Sequence, residues 1–284
     1  MTSGDVDATY LINSLAFAET AEEKERVHAR PPEEVERRGA QYHHFLKHDP
    51  EGAWVAVDDG RAVGSAVAVV REGVWILALF AVAEEYRGTG TGKRLFDHAL
   101  AYAAGCRGAM IASSTHPAAM RRYALAGFTL HPTLMASGVV RRSVLPANPG
   151  VREGTDADLE LAASVDRLLR GAAHGPDLEI MLRTGARLLV AERPAGRGYA
   201  AVWEGSPALV AATHPEVAAD LLWACLAGAP EGKEVEVRWI SGLQSPWAVP
   251  VVLKAGLSLS PTGPLCFRGE LGPLAPYLPS GPFL

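Results

Sequence analysis

Hydrophobic residues come in runs between Trp54 and Val82, and on either side of that stretch they fall at helical spacing. "WVAVDDGRAVGSAVAVV" reads as strand, Asp59-Gly60 turn and strand, a hairpin. "VWILALFAV", Val74 to Val82, is almost continuously apolar, the pattern of a strand covered on both faces. Upstream, Asp5 to about Glu19 reads as a helix with Ser3 to Asp5 as its cap, and a charged segment follows. Pro31-Pro32 then opens a helix whose Val35, Tyr42, Phe45 and Leu46 share one face. Downstream come a glycine-rich loop, a helix "KRLFDHALAYAAG" closed by Gly105, and a strand "AMIAS". A helix "AAMRRYALAG" and a strand "MASGVV" complete this part. The alternation predicts an α/β fold with a mixed sheet.

After "LPANPG", residues 145 to 150, which reads as a linker, the pattern starts again. "GTDADLELAASV" echoes "SGDVDATYLINSL", with Asp156 and Asp158 answering Asp5 and Asp7 at an offset of 151 (156 − 5). "HPAAMRRYALAGFTLHPT" (116–133) aligns without a gap to "SPWAVPVVLKAGLSLSPT" (245–262) at an offset of 129. The chain is expected to be two copies of one α/β unit, 1–145 and 146–284. The second copy has only "THPE" where the first has its glycine loop, and Val252 where the first has Tyr123.

Composition narrows the class. The 284 residues are 48% hydrophobic and 21% charged, enough apolar material for real cores. A net charge of −5 without a basic run argues against nucleic-acid binding. Cys106, Cys225 and Cys266 share no metal-ligand or disulfide spacing and suit a reducing cytosol. No stretch approaches the roughly 20 apolar residues of a membrane helix, and "MTSGDVDATYLI" lacks the basic start of a signal peptide. A cytoplasmic protein with neither nucleic-acid nor membrane partners is expected.

The glycine loop sits in "EEYRGTGTGKRLF", Glu84 to Phe96. It is not a nucleotide-hydrolase phosphate loop, because Gly92-Lys93 is followed by Arg94 and no hydroxyl is placed for magnesium. It is not the dinucleotide fingerprint, because counting from Gly88 the third glycine position holds Lys93. Arg87 to Gly92 does fit R/Q-x-x-G-x-G/A. "LFAVAEEYRGTGTGKRLFDHAL" followed by "MRRYALAGF" resembles the GNAT acetyltransferase superfamily over roughly residues 1 to 140.

That resemblance implies two GNAT-like domains, the C-terminal one degenerate, with acetyl-CoA as cosubstrate and no metal. It implies that Phe80, Ala81 and Val82 flank the pantetheine arm. Arg87, Gly88, Thr89, Gly90, Thr91, Gly92 and Lys93 would hold the pyrophosphate on backbone N–H groups at a helix start. His116 stands where a coenzyme-contacting asparagine is frequent in the family, and Tyr123 stands at the usual general acid. Plain alternatives accompany these roles: Arg87 and Lys93 as surface charges, His116 as a helix-start residue, Tyr123 as a packing tyrosine. Where some relatives carry a glutamate, this chain has Ile76 and Ile111, so the general base is open. In "YHHFLKH", His44 and His48 are four apart but lack the acidic partner of a zinc helix, and His43 or His44 is a candidate substrate contact. Trp54, Trp203 and Trp223 read as core. The family's first strand, matched by "VREGTDAD" in the second half, has no counterpart before "MTSGDVD".

The expected activity is N-acetyl transfer to a primary amine, on a small molecule or a protein, with Tyr123 as general acid. The alternative is an acyl-CoA-binding sensor without efficient turnover.

Overall fold

The computed structural model describes residues 1–18, 20–147 and 150–284. Glu19, the expected end of the first helix, and residues 148 and 149 of the expected linker lie outside them. The chain forms two compact units, residues 1–70 with 75–106, and residues 71–74 with 107–284.

The first unit opens with helix α1 (Val6–Ala16), α2 (Ala21–His28) and α3 (Pro32–His48). The charged segment, to which the sequence reading gave no element, contains a helix. Thr20 accepts the Glu23 N–H, and Glu23 reaches back to the Thr20 N–H, so a capping box starts α2 although it buries only Val27. Strands β1 (Ala53–Asp58), β2 (Arg61–Arg71) and β3 (Val74–Val82) follow in spatial order β1-β2-β3. Asp59 and Gly60 both take positive φ in the β1–β2 turn, as the two-residue hairpin demands. Helix α4 (Thr91–Ala101) closes the unit by burying Leu95, Phe96 and Ala99, and the Ala99 carbonyl accepts the Trp75 indole N–H at 3.0 Å. On the helical side, Val6, Tyr10 and Tyr42 pack together with Leu79 of β3, and Asn13 donates to the Ser65 hydroxyl at 2.7 Å. Trp54 departs from expectation. It lies on β1 at the edge of the sheet, 37% exposed, with its ring stacked on His98.

The second unit holds β4 (Gly108–Ala112), α5 (Pro117–Leu125), β5 (Thr129–Val139), β6 (Arg152–Glu153), α6 (Leu159–Leu169) and α7 (Pro176–Arg183). It continues with β7 (Arg187–Arg193), β8 (Gly196–Trp203), β9 (Ser206–Ala212), α8 (Pro215–Ala227) and β10 (Glu234–Ser241). It ends with α9 (Ala248–Lys254), β11 (Ser258–Gly269) and β12 (Tyr277–Leu278). One run of strands is ordered β4-β11-β5-β10, and another β12-β9-β8-β7-β6. β6, within "VREGTDAD", pairs with β7, and among the described residues no strand precedes β1 in the first copy.

The order β4-β11-β5-β10 interlaces the two sequence copies. β11, from the second, lies between β4 and β5 of the first, and β5 lies between β11 and β10. Thr133 pairs with Thr262, its own counterpart at the offset of 129 (262 − 133). The neighbouring pairs Leu134–Pro261, Met135–Ser260, Ala136–Leu259 and Ser137–Ser258 run outward from it, so each strand pairs antiparallel with its repeat image. A register shift between Thr262 and Leu265 ends this symmetry. There Gly263 has no room for a side chain, since a Cβ would stand 1.9 Å from the Ser113 carbonyl oxygen. The contact-dense units thus divide the chain at different places from the sequence copies.

The helix-start echo needs a changed offset. Thr2 and Asp5 form a capping box at the head of the chain, and Thr155 and Asp158 form its counterpart, which gives 153 (158 − 5) instead of 151. On this offset Asn13 answers to buried Asp166, which accepts from the Tyr199 hydroxyl at 2.6 Å and lies 2.7 Å from His174 Nδ1.

Arg71 and Asp177 form a buried bidentate pair at 2.8 and 2.7 Å. Removing one partner takes a close counter-charge away from a buried ion. Asp177→Ala is expected to lower unfolding free energy by about 3–5 kcal/mol in urea titrations. Glu153→Ala, whose Arg187 pair is exposed, should cost less than about 1 kcal/mol.

Candidate active site

β3 delivers the glycine loop. After Val82 the chain makes a short 3-10 turn, Glu84–Tyr86, and then reaches α4 through Gly88 (φ 82°) and Gly90 (φ 91°). Both angles lie in the left-handed region that glycine enters without a Cβ clash. A Cβ at either position would meet nothing within 4 Å, so this side of the loop is open. Gly92 sits differently. Its Cβ would lie 3.4 Å from Val82 Cγ2 and 3.5 Å from the tip of Phe80, so the first turn of α4 rests directly on the end of β3.

The start of α4 is electrostatically bare. Gly90 provides no side-chain cap and the first turn contains no acidic residue. Its outward-pointing N–H groups and helix dipole therefore offer undiluted positive potential. Thr89 is exposed and donates to the Tyr86 carbonyl at 2.8 Å, lying 2.9 Å from the buried Thr91 hydroxyl. Arg87 donates from Nε to the Val82 carbonyl at 3.2 Å, and Lys93 is paired with Asp97 at 2.6 Å. Of the expected cofactor residues, Phe80 to Val82 and Arg87 to Lys93 are thus assembled at one place in the first unit. Ala81 is buried in the sheet.

The helix α8 offers a contrast within the second unit. It follows β9 as α4 follows β3, but His214 caps it, with Nδ1 accepting the Glu216 N–H at 3.3 Å. Glu216 also places a carboxylate in the first turn, where it occupies the potential that an anion would need.

His116 and Tyr123 belong to α5 in the second unit. His116 is the N-cap, and its Nδ1 accepts the Ala118 N–H at 3.2 Å. Tyr123 is 3% exposed. Burial, reinforced by the nearby Cys266, pushes its phenol above the ordinary tyrosine value, so it stays neutral. Burial also pushes the Cys266 thiol up to about 12. Ile76 and Ile111 are buried and apolar. His44 is buried against Phe45 and His48, and no group of three or more His, Cys, Asp or Glu among the described residues is placed to hold a metal ion.

Two β11 residues had no site role in the sequence reading: Cys266, read there only for its spacing and found near Tyr123, and Arg268, found at the end of α5. Arg268 donates to the Ala126 carbonyl at 3.1 Å, and its guanidinium lies over the Phe128 ring at 4.9 Å. The signal was the ungapped repeat itself, whose two images pair with each other.

Residues 15–128 match the acetyltransferase (GNAT) family. The fold extends that likeness along the chain. A Pyrococcus horikoshii protein assigned provisionally as an acetyltransferase is 20% identical, with a TM-score of 0.73 over 95% of this chain and 88% of that one. A tandem GNAT protein from the clavulanic acid biosynthesis pathway, solved without acetyl-CoA, is 16% identical, with a TM-score of 0.57 over 94% of each chain. No curated protein matches. The architecture is thus a mixed α/β fold of the GNAT type. No helix among the described residues is long and apolar enough to cross a membrane.

Tyr42, Tyr123, Tyr199 and Tyr277 all have phenols raised chiefly by burial. Unfolded tyrosines ionise at about pH 10. The unfolded chain therefore loses these protons first, and their contribution to stability is complete below about pH 10 and is lost as pH rises beyond it. Spectrophotometric titration should show these four ionising only together with alkaline unfolding. The Tyr123→Phe variant should lose one late-titrating group.

Proposed function

We propose that the protein transfers an acetyl group from acetyl-CoA to a primary amine, using one cofactor site per chain at the 87–93 loop. The observation that carries this reading is the open, uncapped start of α4 resting on the end of β3. The glycine cradle and bare helix dipole fit a pyrophosphate, and Arg87 and Lys93 add cationic charge beside it. Bound there, acetyl-CoA supplies the thioester. Backbone N–H groups near Phe80 to Val82 act on its carbonyl oxygen as negative charge develops. Tyr123 would donate its phenolic proton to the departing thiolate, and the proton lost by the attacking amine would pass to solvent and restore the phenol, a role that needs a phenol neutral at working pH. His116 contributes to coenzyme binding from the start of α5. The acceptor is an amine of a small molecule or a protein, and the protein acts in the cytoplasm.

In this reading residues 1–145 form the catalytic domain and 146–284 a degenerate copy. The capped, acidic start of α8 supports the absence of a second cofactor site. The competing reading is an acyl-CoA sensor, and the apolar Ile76 and Ile111, where relatives place a base, favour it.

Calorimetric titration with acetyl-CoA should give one site per chain, lost in Gly90→Glu with the fold intact by circular dichroism. Two sites would refute the degenerate copy, and none would refute the cofactor assignment. Tyr123→Phe should bind acetyl-CoA normally and lose turnover by roughly 10²–10⁴-fold. Unchanged behaviour in that variant would remove Tyr123 from the mechanism, and absent turnover with intact binding in the wild type would favour the sensor.

A further inference from the structure

β11, the repeat image of β5, holds the chain on both sides of the helix that carries Tyr123. Before α5, the Pro264 carbonyl on β11 accepts the Ser113 N–H at 2.9 Å. Three residues on from Ser113, His116 caps the helix. After α5, Arg268 donates to the Ala126 carbonyl at 3.1 Å. Its Cδ would lie 3.7 Å from a Cβ on Gly127, the left-handed residue that ends the helix. The same guanidinium covers the Phe128 ring. A cation at a helix C-terminus satisfies a carbonyl that has no partner within the helix and complements the dipole.

The repeat provides an internal comparison. In α9 the matching carbonyl is that of Ala255 (255 − 126 = 129), and it accepts from the main-chain N–H of Arg141 at 2.8 Å. There the contact does not depend on a side-chain donor, and the helix presents Val252 where α5 presents Tyr123. At α5 the contact passes to a side chain. That side chain is reached only because β11 is threaded between β4 and β5.

We propose that Arg268 is a positioning residue for the acetyl transfer: from the second copy, it fixes the end of α5 and so the placement of the Tyr123 phenol. This rests on the acyltransfer reading above and assigns the second copy a part in it without a cofactor site of its own. Arg268 touches neither acetyl-CoA nor the acceptor in this role.

The test is a double-mutant cycle in the full chain, using Arg268→Met, Arg268→Lys, Tyr123→Phe and the Tyr123→Phe/Arg268→Met combination. Each is measured for kcat, KM and acetyl-CoA affinity. Arg268→Met should lower kcat roughly 10- to 100-fold, the cost of a small misplacement relayed from outside the reacting groups. Calorimetric acetyl-CoA affinity should be unchanged, and Arg268→Lys, which keeps a cationic donor, should recover part of the rate. In the Tyr123→Phe background the same change should cost nothing further, because the group it positions is gone.

Additive losses in kcat, or a loss matched by weakened acetyl-CoA binding, would overturn the proposal in favour of a general structural role. A second readout stands apart from turnover. In fluorotyrosine-labelled protein, the fluorine resonance assigned to Tyr123 should shift or broaden in Arg268→Met. Its staying fixed would overturn the proposal even if kcat fell. If Tyr123→Phe is fully active while that resonance moves, Arg268 does hold the helix, and it is the acyltransfer reading of Tyr123 that fails.

Discussion

The antiparallel pairing of β5 with β11 is the constraint on which the second unit depends. Thr133 faces its own image, Thr262, and the strands run outward from that pair in register. A strand pairing with its repeat image needs the same alternation of inward and outward residues on both partners, and a repeated sequence supplies that directly. The consequence is topological. β4 is paired with the second copy's strand, and β5 has second-copy strands on both sides. Pulling the copies apart would leave β5 without either neighbour and would expose rows of backbone donors and acceptors. Sequence copies and packed bodies therefore do not coincide here, because the bodies follow hydrogen bonds and buried area.

Within that shared architecture, the copies differ where chemistry would occur. Both place a helix after a buried strand, yet α4 begins with a left-handed glycine and no acid, and α8 with a histidine cap and a glutamate. The same contrast appears beneath the first helix of each copy. Asn13 meets Ser65 through a single amide hydrogen bond, whereas Asp166 sits among Tyr199 and His174, with Tyr277 3.4 Å from the other imidazole nitrogen. A buried carboxylate needs such a set of donors, because unpaired it would cost several kcal/mol. The second copy has filled that place with large, mutually satisfied polar side chains, while the first has small ones.

Much of this was legible in the chain. The run from Val74 to Val82 matches β3 residue for residue, and Asp59-Gly60 is the turn it was expected to be. Gly88 and Gly90 take the left-handed angles open to glycine, whereas Gly92 is helical. These are local signals, set by periodicity and by sterics within a few residues. α2 was missed although Thr20 and Glu23 spell a capping box, because its face is too polar to show an apolar stripe. Trp54 was misplaced because alternation along a strand does not tell an edge from a centre. The interlaced strands were not legible from either copy alone. Their pairing joins residues from 95 (234 − 139) to 161 (269 − 108) positions apart, and only the repeat offset hints that each image could bind the other. Arg268 beside α5 follows from that same long-range step.

Burial of Tyr123 has an energetic side that bears on its proposed chemistry. A free phenol at about 10 giving its proton to a thiolate at about 8.5 works uphill by roughly 2 kcal/mol. Burial raises the phenol further, which by itself would make it a poorer acid. The leaving thiolate, however, would form in the same dry surroundings. Cys266, the thiol beside Tyr123, shows what those surroundings do to sulfur: burial pushes it up to about 12. A desolvated thiolate gains proton affinity for the same reason that a desolvated phenolate does. Both groups would therefore be harder to ionise there than in water. Full transfer would only move the charge to the phenolate, so what a phenol in the right position supplies is a hydrogen bond to the sulfur as its charge develops, with the proton given up by the amine making good the one it donates. Position, set in this reading by the grip of β11 on α5, then matters more than the acidity of the group.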